Sequence, residues 1–327
     1  MMTDLMAEIQ KRKEIVDKEL KNLFKGNDHP MWENMAWYPL AGGKKLRPFL
    51  AMVSCGALDG DEMDALTPGL SIELIHNFTL VHDDIMDDDD IRRGRETLHK
   101  KEGLPTAINV GDALFALSFR LISEMDVEPV KIKRVLYEIS QAVLKVAEGQ
   151  EEDMSFETTF DITEDEFIEM IEKKTSYLFQ ASARCGAIVA DGSDEQVEMM
   201  GEYARKMGIA FQVQDDYLDL MGDQIDLGKP VGSDIKAGKR TLMVIHALQN
   251  LEDDDRNRLI EILENESTQE DVDEAINLLN KNSSIEYCRE LAVKYANGAK
   301  DSIKSLPESD HKKILIDLVD YMIERAK

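Results

Sequence analysis

The amino-acid sequence predicts an all-α protein, a single large helical bundle around a central apolar cavity. In segment after segment, apolar residues recur with the spacing of a helix face, and almost no segment alternates apolar and polar residues as a half-exposed strand does. Several segments, such as residues 105–125, are apolar on more than one face. Helices of that kind lie inside a bundle, where they line a cavity or pack without one. Because the sequence has neither a flexible linker nor a repeat, residues 1–327 are predicted to form one domain.

Helix boundaries follow from capping residues and from helix breakers. Thr163 with Glu166, and Ser193 with Gln196, have the capping-box spacing that begins a helix, whereas clusters of Gly, Pro, Asn and Asp end one. Helices are predicted at residues 3–24, 49–59, 62–87, 105–125, 128–153, 164–190, 194–221, 241–249, 255–265, 269–280, 284–305 and 310–326. Both tryptophans fall in a predicted loop after the first helix.

Composition and charge exclude several classes of protein. The chain has 66 acidic and 39 basic residues and a formal net charge of −27, which argues against nonspecific binding to nucleic acid or to an anionic membrane. No apolar stretch approaches the length of a membrane span, and the charged N-terminal helix lacks the apolar core of a signal peptide. Cys55, Cys185 and Cys288 lack the spacing of a zinc site or a disulfide framework, so they are predicted to be reduced, buried thiols in a cytoplasmic protein.

The stretch FTLVHDDIMDDDDIRRGR, residues 78–95, carries the first motif with a chemical meaning. Asp83 and Asp87 stand four residues apart and therefore share one face of a helix, where they repel each other unless a cation lies between them. Mg²⁺ is the ion that takes one or two carboxylates and completes its shell with water and substrate phosphates. Arg92 and Arg93 follow with planar guanidinium groups suited to diphosphate oxygens. Acids, metal and arginines together predict a diphosphate site.

A second copy of the acidic motif strengthens this interpretation. Asp215, Asp216 and Asp219 repeat the DDxxD spacing within FQVQDDYLDLMGD, again at the end of an apolar helical segment. One DDxxD triplet occurs easily by chance in so acidic a chain, and its ordinary meaning is a solvated helix end. Two copies far apart, each with basic residues nearby, are poorly explained by chance.

Three basic segments could meet the phosphates. Lys44 and Arg47, in GGKKLRP, lie at a predicted helix start, where free backbone N–H groups also attract anions, although GGK alone occurs in many loops. Lys174 lies in a helix that is otherwise apolar on its inner face, and it could equally extend to solvent. Lys229 and Lys239 belong to LGKPVGSDIKAGKRT, whose glycines and basic residues are typical of a flexible lid that closes on phosphate oxygens.

In the order and spacing of these segments, the chain resembles the trans-isoprenyl diphosphate synthases, which include the farnesyl and geranylgeranyl diphosphate synthases. The archaeal short-chain members are the most similar. The resemblance runs nearly end to end through GGKKLRP, ELIHNFTLVHDDIMDDDDIRRG, the Gly111-Asp112 pair, KKTS, FQVQDDYLD and LGKPVGSDIKAGKRTLM. It implies a cytoplasmic homodimer with the isoprenoid synthase fold. The implied reaction joins isopentenyl diphosphate to dimethylallyl, geranyl or farnesyl diphosphate with Mg²⁺, about three ions in each active site.

The resemblance also assigns roles to individual residues. The diphosphate of isopentenyl diphosphate is implied to be held by Lys44, Arg47, His76 and Arg93. The implied metal ligands are Asp83 and Asp87 from one motif and Asp215 from the other, supported by Asp216 and Asp219. The allylic diphosphate is implied to contact Arg92, Lys174, Thr175, Gln212, Lys229 and Lys239, whose charged members stabilise it as a leaving group. An isolated helical histidine is usually a packing residue, but His76 lies seven residues before Asp83 in nearly the same helical direction, which favours a role in the site.

Product length is implied to depend on Phe78 and Thr79, five and four residues before the first motif. An aromatic residue followed by a small one resembles the archaeal C20 type, so geranylgeranyl diphosphate is the predicted product. A farnesyl diphosphate synthase and a bifunctional C15/C20 enzyme are the alternatives. On a straight helix Thr79 points about 40° and Phe78 about 140° from Asp83. The helical wheel alone therefore favours Thr79, and Phe78 would face the same cavity only if the helix bends.

Three other interpretations account for parts of the pattern. A class I terpene cyclase shares the first motif, but its second metal site mixes Asn, Ser and Glu, whereas this chain has DDYLD. A catalytically silent partner subunit typically loses acidic or basic motif residues, and none is missing here. A non-catalytic metal-binding protein, the alternative from a different class, needs neither the arginine pair nor the basic loop.

Overall fold

The computed structural model describes residues 4–221, 232–265 and 267–324. Throughout these residues the regular structure is helical apart from one short antiparallel hairpin, in which Ile91–Arg92 (β1) pairs with Arg95–Glu96 (β2). The predicted all-α fold class is therefore confirmed. In this part of the chain, none of the helices is both long enough and apolar enough to cross a membrane.

The helices follow the predicted order, with ends displaced by a few residues. They are α1 (Leu5–Leu23), α2 (Met31–Met35), α3 (Leu46–Gly56), α4 (Leu66–Met86), α5 (Leu98–Glu102), α6 (Leu104–Ser123), α7 (Pro129–Phe156), α8 (Glu164–Ile171), α9 (Tyr177–Val189), α10 (Asp194–Met221), α11 (Ser233–Lys236), α12 (Leu242–Asn250), α13 (Asp253–Glu264), α14 (Gln269–Lys281), α15 (Ser284–Ser302) and α16 (Asp310–Glu324). A 3₁₀ turn at Glu62–Ala65 precedes α4, and a π-helix at Glu172–Ser176 joins α8 to α9.

Several features differ from the predicted elements, among them helix α5 and the β1–β2 hairpin, which were not predicted. The loop predicted around the tryptophans contains the short helix α2. The segment predicted as one helix at residues 164–190 is interrupted by the π-helix. The basic loop contains the four-residue helix α11. The predicted capping boxes are present, since the Thr163 hydroxyl accepts from Glu166 N (3.2 Å) while the Glu166 carboxylate accepts from Thr163 N (2.8 Å).

The chain divides into two compact units, and each has its own apolar core. The first unit consists of Met1–Val143, Leu178–Gly201 and Ser305–Asp317, and the second of Leu144–Tyr177, Glu202–Lys304 and Leu318–Lys327. The first aspartate motif belongs to the first unit and the second motif to the second.

Helix α4 lies in the core of the first unit and carries the first motif at its C-terminal end. Its residues are buried on several sides, and Leu74 and Val81 pack in one cluster with Val110 and Leu114 of α6. The core of the second unit includes the fully buried residues Val213, Leu242, Val272 and Leu279. Each motif is thus carried by a helix whose apolar face is fixed in a core. The three cysteines are free and buried, as predicted.

Candidate active site

The first aspartate motif lies at the C-terminal end of α4, where the helix dipole is unfavourable for negative charge. The Asp87 N–H donates to the Asp83 carbonyl at 2.8 Å, so helical geometry continues through Asp87 and places both side chains on one face. Asp83 is half-buried and Asp87 is exposed to water. Two carboxylates and the last carbonyls of the helix therefore concentrate negative charge where a hydrated cation can reach it.

The middle acid of this motif, Asp84, has a different environment. It is fully buried, and its two oxygens accept hydrogen bonds from the Tyr38 hydroxyl and from Nε of Arg92. Burial lowers the pKa of Arg92, but the ion pair with Asp84 outweighs burial, so the pKa is raised. Asp84 therefore orients an arginine, and the assignment of the outer acids Asp83 and Asp87 to a metal ion stays a prediction.

The glycine-rich segment before α3 is held by a residue that the sequence argument did not single out, Lys45. Its ammonium group is buried and donates to the Pro39 carbonyl (2.6 Å) and to the Glu73 carboxylate (3.0 Å). Its φ is +53°, and Gly42 and Gly43 before it have φ of +96° and +87°, so the chain turns sharply into α3. This anchored turn leaves Lys44 exposed and places Arg47 in the first turn of α3.

Arg47 and Arg93 lie close to each other in this region. The Arg47 guanidinium packs over the Phe179 ring at 4.6 Å, and its Nε has no hydrogen-bond partner among the described residues. Burial lowers the pKa of Arg47 to about 10, Glu73 opposes that shift, and Arg93 adds to it. The Arg93 guanidinium rests on Gly43, where an added Cβ would lie 3.4 Å from Cζ. Arg93 also donates to the Tyr38 carbonyl at 3.4 Å.

His76 belongs to the same group. Burial lowers its pKa well below the usual 6.5, and the nearby cations of Arg47, Arg93, Lys45 and Arg92 lower it further. The structure therefore brings together three residues predicted for one diphosphate, namely Arg47, His76 and Arg93, with Lys44 at the exposed turn beside them. We refer to Arg47, His76 and Arg93 as the basic cluster.

Aromatic rings line the side of α4 that faces α6. The Phe78 ring contacts the His82 ring (4.7 Å between centroids) and the Phe115 ring (5.3 Å), and Phe119 continues the row from Phe115 (5.0 Å). Gly111 permits this arrangement, because an added Cβ would lie 2.4 Å from His82 Nε2. Phe78 thus contacts α6 from an α4 that is one continuous α-helix.

Thr79 is half-buried, and its hydroxyl donates to the His76 carbonyl at 2.9 Å. The roles of Phe78 and Thr79 in setting product length stay predictions.

The second motif lies within the last two turns of α10 that the structure describes, before Met221. Asp215 is half-buried. Asp219 is buried, and its carboxylate accepts from the Ser233 hydroxyl and from Asp234 N (3.0 Å), while its carbonyl accepts from Gly232 N (2.8 Å). Asp219 thereby fixes the segment that begins α11. Its role as a metal ligand and that of Asp215 stay predictions.

Asp216, the middle acid of the second motif, is buried without a hydrogen-bonded cation among the described residues. It accepts from Gln212 Nε2 at 3.0 Å, and the Gln212 carbonyl oxygen accepts from the Thr175 hydroxyl at 3.0 Å. Burial raises the pKa of Asp216 well above 3.8, and the negative charges of Asp234 and Asp215 raise it further. Thr175 and Gln212, both predicted for the allylic diphosphate, are therefore in direct contact.

The π-helix at Glu172–Ser176 positions Lys174 and Thr175. A π turn inserts one extra residue into a helix and often occurs at functional sites. Two glycines make space for it, since an added Cβ would lie 2.5 Å from Lys174 N at Gly149 and 2.6 Å from Ser176 Oγ at Gly208. Bulkier side chains at either glycine would displace this turn.

The two predicted lysines of the second unit that are described both lie beside acids. The Lys174 ammonium pairs with Asp153 at 2.5 Å, an acid that the sequence argument missed. Lys239, whose side chain is 51% exposed, lies 3.6 Å from the Asp234 carboxylate. Lys229 lies outside the described residues, and the predicted closing of the basic loop stays a prediction.

Comparison with known proteins identifies the family. The profile of the polyprenyl synthetase family matches residues 29–279. The chain belongs to this family. A short chain isoprenyl diphosphate synthase of Methanothermobacter thermautotrophicus is 42% identical over 321 residues, which cover 98% of this chain and 95% of that protein. A geranylgeranyl diphosphate synthase of Methanosarcina mazei is 37% identical over 327 residues, which cover 99% of each.

Solved structures agree with this assignment. The geranylgeranyl pyrophosphate synthetase of Pyrococcus horikoshii superposes with a TM-score of 0.94 at 40% identity, covering 98% of both chains. The polyprenyl synthetase family member described here is therefore a prenyltransferase with the all-helical fold of isoprenoid synthases.

The acids of this prenyltransferase suit the metal on which its family generally depends, Mg²⁺. Asp83 and Asp87 share one helix face, Asp87 is exposed, and the first motif lies at a helix C-terminus, which favours a cation. Oxygen ligands, a small number of carboxylates and access for water are what Mg²⁺ requires. The donor set therefore fits the ion.

Proposed function

We propose that this prenyltransferase adds isopentenyl diphosphate to dimethylallyl, geranyl and farnesyl diphosphate and releases geranylgeranyl diphosphate. The basic cluster carries the proposal. Burial lowers the pKa values of Arg47 and Arg93, and a neighbouring arginine lowers each further, Arg93 for Arg47 and Arg92 for Arg93. Beside a histidine kept neutral, they form an arrangement that needs a polyanion. A diphosphate supplies that charge, and planar guanidinium groups match its oxygens.

Binding of isopentenyl diphosphate is assigned to the basic cluster and Lys44. Arg47 and Arg93 are positioned before the ligand arrives, one by the Phe179 ring and the other by Gly43 and the Tyr38 carbonyl. A binding group that is already ordered loses little side-chain entropy when the ligand binds. Neutral His76 can donate one N–H to a phosphate oxygen without adding a further charge.

The allylic diphosphate is assigned to Arg92, Lys174, Thr175, Gln212, Lys229 and Lys239. Mg²⁺, about three ions held by Asp83, Asp87, Asp215 and Asp219, would supply Lewis-acid stabilisation of the diphosphate oxygens. As the allylic C–O bond breaks, Arg92 and the lysines stabilise the negative charge that develops on the leaving group. The double bond of isopentenyl diphosphate then attacks the allylic carbocation, and the released diphosphate accepts the proton that is lost. No side chain acts as a nucleophile.

Apolar side chains exclude the water that would otherwise capture the carbocation. The aromatic row begins at Phe78, about one and a half helical turns before Asp83, and continues through Phe115 to Phe119 of α6. We assign the limit on product length to this row together with Thr79. The names of the relatives described above, a geranylgeranyl diphosphate synthase and a geranylgeranyl pyrophosphate synthetase, support a C20 product.

The decisive experiment is incubation with Mg²⁺, isopentenyl diphosphate and each allylic diphosphate in turn, followed by chain-length analysis of the dephosphorylated products. C20 alcohol from all three primers is the expected result, and EDTA should abolish it. C15 alone, or a C15/C20 mixture, would identify the farnesyl or bifunctional alternative. Absence of any product would overturn the proposal in favour of a non-catalytic metal-binding or partner subunit.

Two substitutions test the assignment of product length. Thr79→Phe adds a ring one turn below Asp83 and should shorten the product toward C15 or C10, at a stability cost of about 1–3 kcal/mol. Thr79→Ser keeps the hydroxyl that bonds to the His76 carbonyl and should leave the product unchanged. Phe78→Ala should lengthen the product. An unchanged product from Thr79→Phe at normal turnover would mean that the chain does not grow along α4.

We also infer a cytoplasmic homodimer built from one catalytic domain per chain. The family profile runs continuously through residues of both units, which supports a single domain. Large apolar side chains on α6 and α7 are exposed, among them Ile108 (41%) and Tyr137 (60%), and a second subunit would cover them. Light scattering coupled to size-exclusion chromatography tests the dimer.

A further inference from the structure

Tyr38 lies between α2 and α3 in the chain. It contacts Asp84, which holds Arg92, and it also contacts Arg93 itself. It is almost completely buried, with 2% of its surface exposed. Its hydroxyl accepts from Leu98 N at 3.0 Å and donates to the Asp84 carboxylate, whose other oxygen accepts from Nε of Arg92. Its carbonyl accepts from Arg93 at 3.4 Å. One residue therefore supports Arg92 through its side chain and Arg93 through its backbone.

The geometry constrains Asp84 from two directions. A buried carboxylate with one hydrogen-bonded oxygen can still rotate about its last side-chain torsion, whereas donors on both oxygens fix its plane. Fixing that plane fixes the direction in which Nε of Arg92 must approach. The Tyr38 hydroxyl also accepts a hydrogen bond from Leu98 N at the start of α5. This bond fixes the end of the segment that carries Arg92 and Arg93.

We propose that Tyr38 is a positioning residue for prenyl transfer, whose hydroxyl orients Asp84 so that Asp84 holds Arg92 toward the allylic diphosphate. This role rests on the proposed function, which assigns that diphosphate to Arg92. The Tyr38 hydroxyl acts on Arg92 through Asp84 and holds Leu98, and the Tyr38 carbonyl separately receives Arg93.

The two contacts of Tyr38 predict an asymmetric effect on the two substrates. Tyr38→Phe removes the hydroxyl but keeps the carbonyl that receives Arg93. Loss of a buried hydrogen bond to a charged group should lower kcat/KM for the allylic substrate by about 10- to 100-fold. The KM for isopentenyl diphosphate should stay within about twofold, because the support of Arg93 is retained.

Tyr287→Phe is the matched control. The Tyr287 hydroxyl also donates to a carboxylate, that of Glu164, and neither residue is assigned to substrate or metal. Its loss removes the same kind of bond and should leave both kinetic constants near wild type. Thermal unfolding of both variants shows whether each is folded. If Tyr38→Phe does not fold, Asp84→Asn is tested in its place. It should lower kcat/KM for the allylic substrate by the same factor and leave the KM for isopentenyl diphosphate unchanged.

A double-mutant cycle distinguishes positioning from a general effect on the fold. If the hydroxyl acts through Arg92, Tyr38→Phe should change the allylic kcat/KM by less than about threefold in an Arg92→Lys background. The same fold-loss in both backgrounds, or equal effects on both substrates, would overturn the inference. An allylic kcat/KM of Tyr38→Phe within twofold of wild type would also overturn the inference. If the wild-type enzyme forms no prenyl product, the proposed function itself is wrong.

Discussion

The two aspartate motifs have the same spacing but different middle acids. Asp84 in the first motif is buried between a tyrosine hydroxyl and an arginine, and its negative charge is matched by a cation. Asp216 in the second motif is buried beside Asp215 and Asp234, and it accepts from the neutral amide of Gln212. Burial raises the pKa of both carboxyls, but at Asp84 the Tyr38 hydroxyl and Arg92 oppose the rise, whereas at Asp216 the charges of Asp234 and Asp215 add to it.

This difference shows that two copies of one sequence motif can have different electrostatic environments. The outer acids Asp83 and Asp87 lie at the end of a long helix, whereas in the second motif the outer acid Asp219 is buried and holds Ser233 and Asp234. The middle acids connect each motif to its surroundings, one to an arginine and the other to the Gln212–Thr175 pair. The comparison therefore separates the metal binding proposed for both motifs from the local support observed in each, and substitutions can test each part.

The largest expected effect is at the outer acids, where the two motifs should behave alike. Asp83→Asn and Asp215→Asn should each lower kcat by at least about 100-fold, because a neutral amide binds Mg²⁺ weakly and leaves the leaving group less stabilised. Both variants should stay folded, since neither side chain belongs to an apolar core. Steady-state rates at saturating Mg²⁺ measure the effect.

Asp253→Asn is the control for this pair, because Asp253 is exposed in the first turn of α13. It should leave turnover unchanged. Near wild-type turnover in Asp83→Asn or Asp215→Asn would contradict the assignment of metal ligands to both motifs.

The next effect in size concerns stability, where the middle acids should differ. In EDTA, Asp84→Asn should lower the free energy of unfolding by about 2–4 kcal/mol, because it removes the buried carboxylate of the Arg92 ion pair and leaves Arg92 only the longer contact with Asp89 at 3.4 Å. Asp216→Asn replaces a carboxyl whose negative charge is disfavoured by burial and by two neighbouring acids, and its amide oxygen can still accept from Gln212. It should be neutral or stabilising by up to about 1 kcal/mol. Urea unfolding of the two variants beside wild type decides this, and equal losses would mean that the two environments are equivalent.

The sequence predicted the fold class and most long helices because apolar spacing reflects burial directly. It missed α2 and the β1–β2 hairpin, whose few residues are ordered by tertiary contacts such as the bond from Trp37 Nε1 to the Glu96 carbonyl (3.1 Å). It also missed the π-helix, because one inserted residue barely changes the apolar pattern of a helix.

The candidate site was predictable only in part. Arg47, His76 and Arg93 lie in recognisable motifs, and they do come together. Tyr38 is separated from Asp84 by 46 residues and Lys45 from Glu73 by 28, so no local pattern connects them. Glu73 was the available signal, because it lies in the apolar part of α4 and is buried. A buried carboxylate requires a cation or hydrogen-bond donor nearby.

A smaller effect should separate the basic residues of the two regions. Arg47→Ala should raise the KM for isopentenyl diphosphate by about 10- to 100-fold, since a desolvated arginine loses its contact with the diphosphate. Lys239→Ala, in the second unit, should chiefly lower kcat or kcat/KM for the allylic substrate, and less strongly, since Lys239 is half-exposed. Initial rates with each substrate varied in turn test this. Identical effects on both substrates would contradict the division between the two regions.

The smallest effect is a pH dependence that should be specific to the first region. Burial and the charges of Arg47, Arg93, Lys45 and Arg92 lower the pKa of His76 in the folded protein. In the unfolded chain the pKa is about 6.5, so between the two pKa values the unfolded state binds a proton that the folded state does not. The contribution of His76 to stability is therefore complete above about pH 6.5 and is lost as the pH falls through that window, by at most about 1.4 kcal/mol per pH unit.

His76→Gln should remove this slope, whereas His29→Gln, at an exposed histidine, should leave it unchanged. The measurement is the free energy of unfolding of the three proteins between pH 5 and 7.5, compared as differences so that other titrating groups cancel. Inorganic pyrophosphate should then reduce the slope of wild type, because an anion in the basic cluster offsets the surrounding cations and raises the pKa of His76 toward its usual value. If pyrophosphate leaves the slope unchanged while it stabilises the protein, the anion binds elsewhere, and the assignment of the basic cluster to a diphosphate fails.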